Sequence, residues 1–118
     1  MKTDMNYMIL NRDQLPGDEH THEFEGIRYS HTAVSFIWVD MPPGGKIRLH
    51  KHPYEEIFIV QEGVSTFVVD SDILEAHAGQ VIIVPANIPH KFMNASDRQL
   101  KQIDIHASTE FITDWLED

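Results

Sequence analysis

The sequence contains no cysteine, so neither a disulfide framework nor a thiolate metal site is available, and any metal must be held by nitrogen and oxygen. Basic residues are scarce: 9 Lys and Arg stand against 19 Asp and Glu, a formal charge of −10 at pH 7. That balance works against phosphate backbones and anionic lipid surfaces, so nucleic acid and membranes are not expected partners. No apolar run approaches the roughly 20 residues needed to span a bilayer. Met1 to Tyr7 lacks the apolar core of a signal peptide. A soluble, cytoplasmic protein is expected. Long helical patterns are also missing from the middle of the chain.

What is present is enough for one domain with a real core: 118 residues, 42% of them hydrophobic. Tyr7 to Leu10 reads as a short strand and Asn11 to Gly26, with Pro16-Gly17, as loop. From Val34 to Met41 the chain is rich in β-branched and aromatic residues and is stopped by Pro42-Pro43-Gly44-Gly45. Further strands are expected over Lys46 to His52, Glu56 to Gln61, Val64 to Asp70, Ile73 to Ala76, Gln80 to Val84, Ile88 to Met93 and Leu100 to Ala107. Many short strands with regular turn signals predict an all-β sandwich or barrel. At the end, Phe111, Ile112, Trp115 and Leu116 share one helical face, so a short C-terminal α-helix is expected over Glu110 to Glu117.

The stretch His50-Lys51-His52-Pro53-Tyr54-Glu55-Glu56 carries the chemistry. Residues two apart on a strand point to one side with Cα atoms about 6.6 Å apart, so His50 and His52 can converge on one ion. On a straight strand Glu56 would lie some 13 Å further on, too far for ligand bonds of about 2.0–2.2 Å. The chain must therefore turn near Pro53-Tyr54, and two antiparallel strands are expected to meet at the site. Glu55 competes with Glu56, but strand parity puts the two on opposite faces.

Read outward, the spacing is Gly44, five residues, His50-Lys51-His52, three residues, Glu56, six residues, Gly63. After fifteen more comes Gly79, five residues, Pro85, one residue, Asn87, two residues, His90, three residues, Asn94. This pair of motifs resembles the two conserved motifs of the cupin superfamily, in its small single-domain form. It departs at Asn87, where the family usually has Gly. Asn tolerates a left-handed backbone, so the turn can survive.

The resemblance implies a double-stranded β-helix, or jelly-roll barrel, over residues 33–118, with residues 1–32 a strand and loop packing on it. It also selects Glu56 over Glu55 and implies that His50, His52, Glu56 and His90 are metal ligands. His90 comes from the resemblance alone. Such a set suits Fe, Mn, Ni, Cu or Zn as a divalent ion, and an octahedral ion would keep two positions open. A formal site charge of +1 then favours anionic or enolisable oxygen ligands.

Other residues are placed around this site. Arg48 shares parity with His50 and is a candidate to pair with a substrate carboxylate, and Tyr54 is a second catalytic candidate. Tyr54, Phe58, Phe92 and Trp38 are candidates for the pocket or the core. His20, His22, His31 and His77 are expected in exposed loops, with His20 or His22 able to reach the barrel mouth. In Gln102-Ile103-Asp104-Ile105-His106 the isoleucines are expected to face the core. Strands Ile57 to Val60 and Val81 to Val84 are apolar on both faces, which points to a homodimer. The function expected from the resemblance is a metal-dependent enzyme, dioxygenase-like, acting on a small organic molecule. The alternatives are an isomerase, lyase, decarboxylase or cyclase, or a non-catalytic small-ligand binding module.

Overall fold

A computed structural model describes residues 7–118 and the backbone of Lys2 and Thr3; Met1 and residues 4–6 lie outside the described residues, and with them part of the expected 1–32 segment. A two-stranded ribbon pairs β1 (Lys2–Thr3) with β2 (Met8–Ile9). Then follow β3 (Thr21–Phe24), β4 (Ser35–Met41), β5 (Lys46–Lys51), β6 (Glu56–Glu62), β7 (Val64–Val69) and β8 (Asp72–His77). The remaining strands are β9 (Val81–Val84), β10 (His90–Met93), β11 (Leu100–His106) and β12 (Asp114–Trp115). All pairings are antiparallel, in two five-stranded sheets with orders β12-β5-β10-β7-β8 and β3-β4-β11-β6-β9. Two sheets packed face to face make the expected jelly-roll barrel.

The strand boundaries follow the turn residues. Gly63, at φ +85°, joins β6 to β7, and a Cβ there would stand 2.4 Å from the Gln99 carbonyl oxygen. Asn87 adopts φ +66°, so the Asn-for-Gly departure keeps the left-handed turn. That turn aims the Asn87 N–H at the His52 carbonyl, 2.7 Å away.

One end of the barrel is filled by Val39, Met41, Phe58, Val60, Phe67, Val84, Phe92 and Leu100, all buried. Phe58 and Phe67 meet edge to face at 4.9 Å. The other end is open, and the site lies there.

Three expectations are corrected. Thr21–Phe24 is a strand on the edge of a sheet, not loop, so His22 sits opposite Trp38. The C-terminal segment forms no helix; Asp114 and Trp115 pair with Lys51 and His50 along the free edge of β5. Eight residues make a marginal helix, whereas an extended segment satisfies an open sheet edge. On β11 it is Gln102, Asp104 and His106 that point inward, at 0%, 4% and 3% exposure, and the isoleucines that point out. The strands β5 and β6 meet at the site as expected but without pairing, since the chain crosses between sheets at residues 52–55 and the two face each other across the barrel.

Candidate metal centre

Two cross-strand pairs build the site. In one sheet His50 of β5 stands opposite His90 of β10; in the other Glu56 of β6 stands opposite His106 of β11. His52 lies on the crossover between them. His50, His52, Glu56 and His90 are all buried, and each offers a ligand atom within 4.8 Å of the others. Ligand atoms around an ion at about 2.1 Å are separated by roughly 3–4 Å, so the spacing fits a single ion.

The hydrogen bonds fix the tautomers. His50 Nδ1 donates to the Arg48 carbonyl at 2.7 Å, His52 Nδ1 to the Ile112 carbonyl at 2.8 Å, and His90 Nδ1 to the Ile88 carbonyl at 2.8 Å. A neutral imidazole has one N–H, so all three Nε2 lone pairs are left for the centre. There, His52 Nε2 and His90 Nε2 each lie 3.0 Å from Glu56 Oε1. His52 Nε2 is buried and lacks a hydrogen-bond partner. Lone pairs gathered on a carboxylate oxygen call for a positive charge between them, and the donor set fits a divalent transition metal.

Electrostatics agree. Burial lowers His50 to about 4, keeping it neutral and available as a ligand at pH 7. Burial alone would raise Glu56, but hydrogen bonding, first of all from His106, holds the carboxyl well below its usual range. Asp104 is pushed well above its usual range by burial and by the Glu56 charge.

His106 differs from the other three histidines. Its Nε2 is 3.1 Å from Glu56 Oε2 and its Nδ1 is 2.6 Å from Tyr54 Oη. The signal for His106 and Asp104 was the polar alternation along β11, whose inward face the sequence does not reveal.

The site opens into a cavity of about 290 Å³, walled by Ile37, Val39, Ile47 and Phe92 and by Phe111, Thr113 and Trp115 of the C-terminal segment. Asp18, Glu23 and Asp104 complete the wall.

Tyr54 stacks on His52 at 5.0 Å, and burial raises its hydroxyl to about 12. Arg48 is exposed and does not line the cavity; its guanidinium lies 4.3 Å over the Trp115 ring. Arg48 does not share the inward face of His50 because β5 bulges: His90 pairs with His50 but Phe92 with Ile47, so Arg48 and Leu49 together oppose Lys91. Glu55 is exposed. Phe58 belongs to the core, Phe92 to both core and cavity, and Trp38 to the outer face of its sheet against Phe36. His31 and His77 are exposed, and neither His20 nor His22 lines the cavity.

Comparison with known proteins agrees with this architecture. The cupin domain family (Cupin_2) matches residues 37–106. An uncharacterised protein of Methanocaldococcus jannaschii is 32% identical over 83 residues, 70% of this chain and 62% of that protein. The polyketide synthase CurC of Streptomyces cyaneus is 33% identical over 64 residues, 53% of this chain and 42% of that protein. The chain thus spans less than two thirds of the length of either relative. Oxalate decarboxylase from Bacillus subtilis at pH 4.6 superposes with a TM-score of 0.77 at 21% identity, covering 88% of this chain and 30% of that one. A structure of the same enzyme, solved to assign the EPR parameters of its Mn(II) centres, gives 0.76 at 22% identity, covering 88% and 30%. With its two motifs, its two-sheet barrel and a family match that spans both, this chain belongs to the cupin family.

Proposed function

We propose that the chain is a metal-dependent enzyme of the dioxygenase type, holding a divalent transition ion through His50, His52, Glu56 and His90 and acting on a small organic molecule. The observation that carries this is the convergence of three Nε2 lone pairs and one carboxylate oxygen at the floor of a cavity of about 290 Å³. When bound, such an ion supplies Lewis acidity and open coordination positions. Ile37, Val39, Ile47, Phe92 and Phe111 then take up the apolar body of the substrate and exclude water from the reacting end. The Mn(II) centres of the oxalate decarboxylase support a divalent metal here.

Substrate charge is read differently from the sequence expectation of an anionic ligand. Among the described residues lining the cavity there are three further carboxylates, Asp18, Glu23 and Asp104, and no lysine or arginine. With Asp104 pushed toward its neutral form, Asp18 and Glu23 supply the negative charge of a wall that disfavours a dicarboxylate and favours an uncharged phenol or carbonyl compound. The likeness to a polyketide synthase protein supports the same class. Arg48, stacked outside on Trp115, is left without a role toward a substrate carboxylate.

Oxygen consumption by ferrous-loaded protein, with a catechol and a β-diketone as probes, tests the reading. Uptake that requires both the ion and the probe is the expected result. Turnover that persists without oxygen would contradict a dioxygenase and move the activity to isomerase, lyase, decarboxylase or cyclase chemistry. A probe that binds and is recovered unchanged would reduce the site to a binding module. The proposal further places the protein in the cytoplasm as a homodimer, joined through the apolar outer face of the sheet that carries β6 and β9.

A further inference from the structure

Glu56 has two oxygens with different partners. Oε1 faces His52 Nε2 and His90 Nε2, both at 3.0 Å, and Oε2 faces His106 Nε2 at 3.1 Å. Among the described residues no backbone carbonyl claims the His106 Nδ1 proton as one does for each of the other three, so the proton can sit on Nε2 and donate to Oε2, which only accepts. His106 Nδ1 is then a lone pair, and its partner at 2.6 Å, Tyr54 Oη, must donate to it. The other side of that hydroxyl accepts the Ile112 N–H at 3.2 Å. Every link has one donor and one acceptor: Ile112 N–H to Tyr54, Tyr54 O–H to His106, His106 N–H to Glu56. His106 therefore carries the tautomer opposite to that of His50, His52 and His90, whose N–H groups point away from the centre.

We infer that His106 and Tyr54 are a positioning pair that reserves Glu56 Oε2, so that Glu56 offers a bound ion Oε1 alone. This rests on the metal reading above. Its consequence concerns coordination number. An ion of coordination number six that takes three imidazoles and one carboxylate oxygen keeps two positions open; a bidentate Glu56 would leave one. Two positions accommodate substrate and a second small molecule together. His106 lies outside the two sequence motifs, whereas Tyr54 stands in the first, between His52 and Glu56. The pair is also tied to the C-terminal segment: Ile112 bonds Tyr54 through its N–H and His52 through its carbonyl, so one peptide unit on each side of this residue sets a ligand tautomer and the opposing one.

Two measurements test this on the intact chain. Imidazole ¹⁵N chemical shifts of the metal-free protein should show His106 protonated at Nε2 and the other three site histidines at Nδ1, and Tyr54→Phe should erode the His106 preference. Water-proton relaxation of the Mn(II)-loaded protein should count two exchangeable waters on the ion. His106→Leu should lose one of them as Glu56 becomes bidentate, whereas His106→Gln, whose side-chain N–H can still reach Oε2, should retain both. His106 protonated at Nδ1 in the wild type, or a water count unchanged in His106→Leu, would overturn the inference while leaving metal binding intact. A wild-type protein that takes up no Mn(II) would overturn the metal reading, and this role with it.

Discussion

At the scale of single residues, the chemistry of the site rests on where each proton sits. Three backbone carbonyls take the Nδ1 protons of His50, His52 and His90, and Glu56 is kept ionised against burial by hydrogen bonding led by His106. Asp104 stands in contrast. It is 4% exposed, accepts a hydrogen bond from Gln102 Nε2 at 2.8 Å, and has its carboxyl pushed well above the usual range by burial and by Glu56. A buried group of this kind costs stability as pH rises above its unfolded value of 3.8, because the unfolded chain then releases a proton that the folded one retains. Asp104→Asn keeps the Gln102 bond and removes that cost. In metal-free protein its melting temperature should exceed that of the wild type by a few degrees at pH 8, the two converging near pH 4. A gain independent of pH, or a loss at pH 8, would contradict this account of Asp104.

At the scale of elements, the site depends on one segment outside the family match. Beyond the bends at residues 107–110 the chain runs along the cavity without helix, with Phe111, Thr113 and Trp115 lining the interior, and is pinned by Leu116 N–H to the Leu49 carbonyl at 2.9 Å. Leu116→Pro deletes that donor. It should shift Trp115 fluorescence to the red and weaken metal affinity about tenfold, through loss of the Ile112 carbonyl from His52. Unchanged affinity despite a released segment would separate the two. This element also marks where sequence reasoning stops. Phe111, Ile112, Trp115 and Leu116 suit a helical stripe, but the choice went to the open edge of β5, a tertiary fact. The Arg48 assignment failed likewise, since a bulge shifts strand parity without leaving a composition signal. By contrast, the separation of His50, His52 and Glu56 dictated a reversal at Pro53-Tyr54, and Gly63 and Asn87 marked turns that need positive φ. Direction on β11 was not legible, because Ile103 and Ile105 alternate with equally regular polar residues and only the cavity decides between the faces.

At the scale of the whole molecule, the sheet β3-β4-β11-β6-β9 turns polar groups of β11 and Glu56 toward the barrel interior and an apolar face outward. Its outer surface carries Phe36, Trp38, Ile57, Ile59, Ile103 and Ile105, with Val81 and Ile83 exposed at 56% and 62%. A second copy of the chain is the proposed cover, joined sheet to sheet. The double variant Ile57→Lys with Ile83→Lys should sediment as a monomer while keeping its metal, since both side chains point away from the barrel interior. A wild-type protein that is monomeric at high concentration would contradict the dimer. The barrel's opposite side holds the central claim, that His50, His52, Glu56 and His90 together bind a transition metal. Elemental analysis of protein purified without added metal, beside the His52→Ala, His90→Ala double variant, tests it most directly. The account predicts one transition ion per wild-type chain and its loss from the variant; a wild-type protein that binds none even when metal is supplied, or a variant that binds as much, would contradict it.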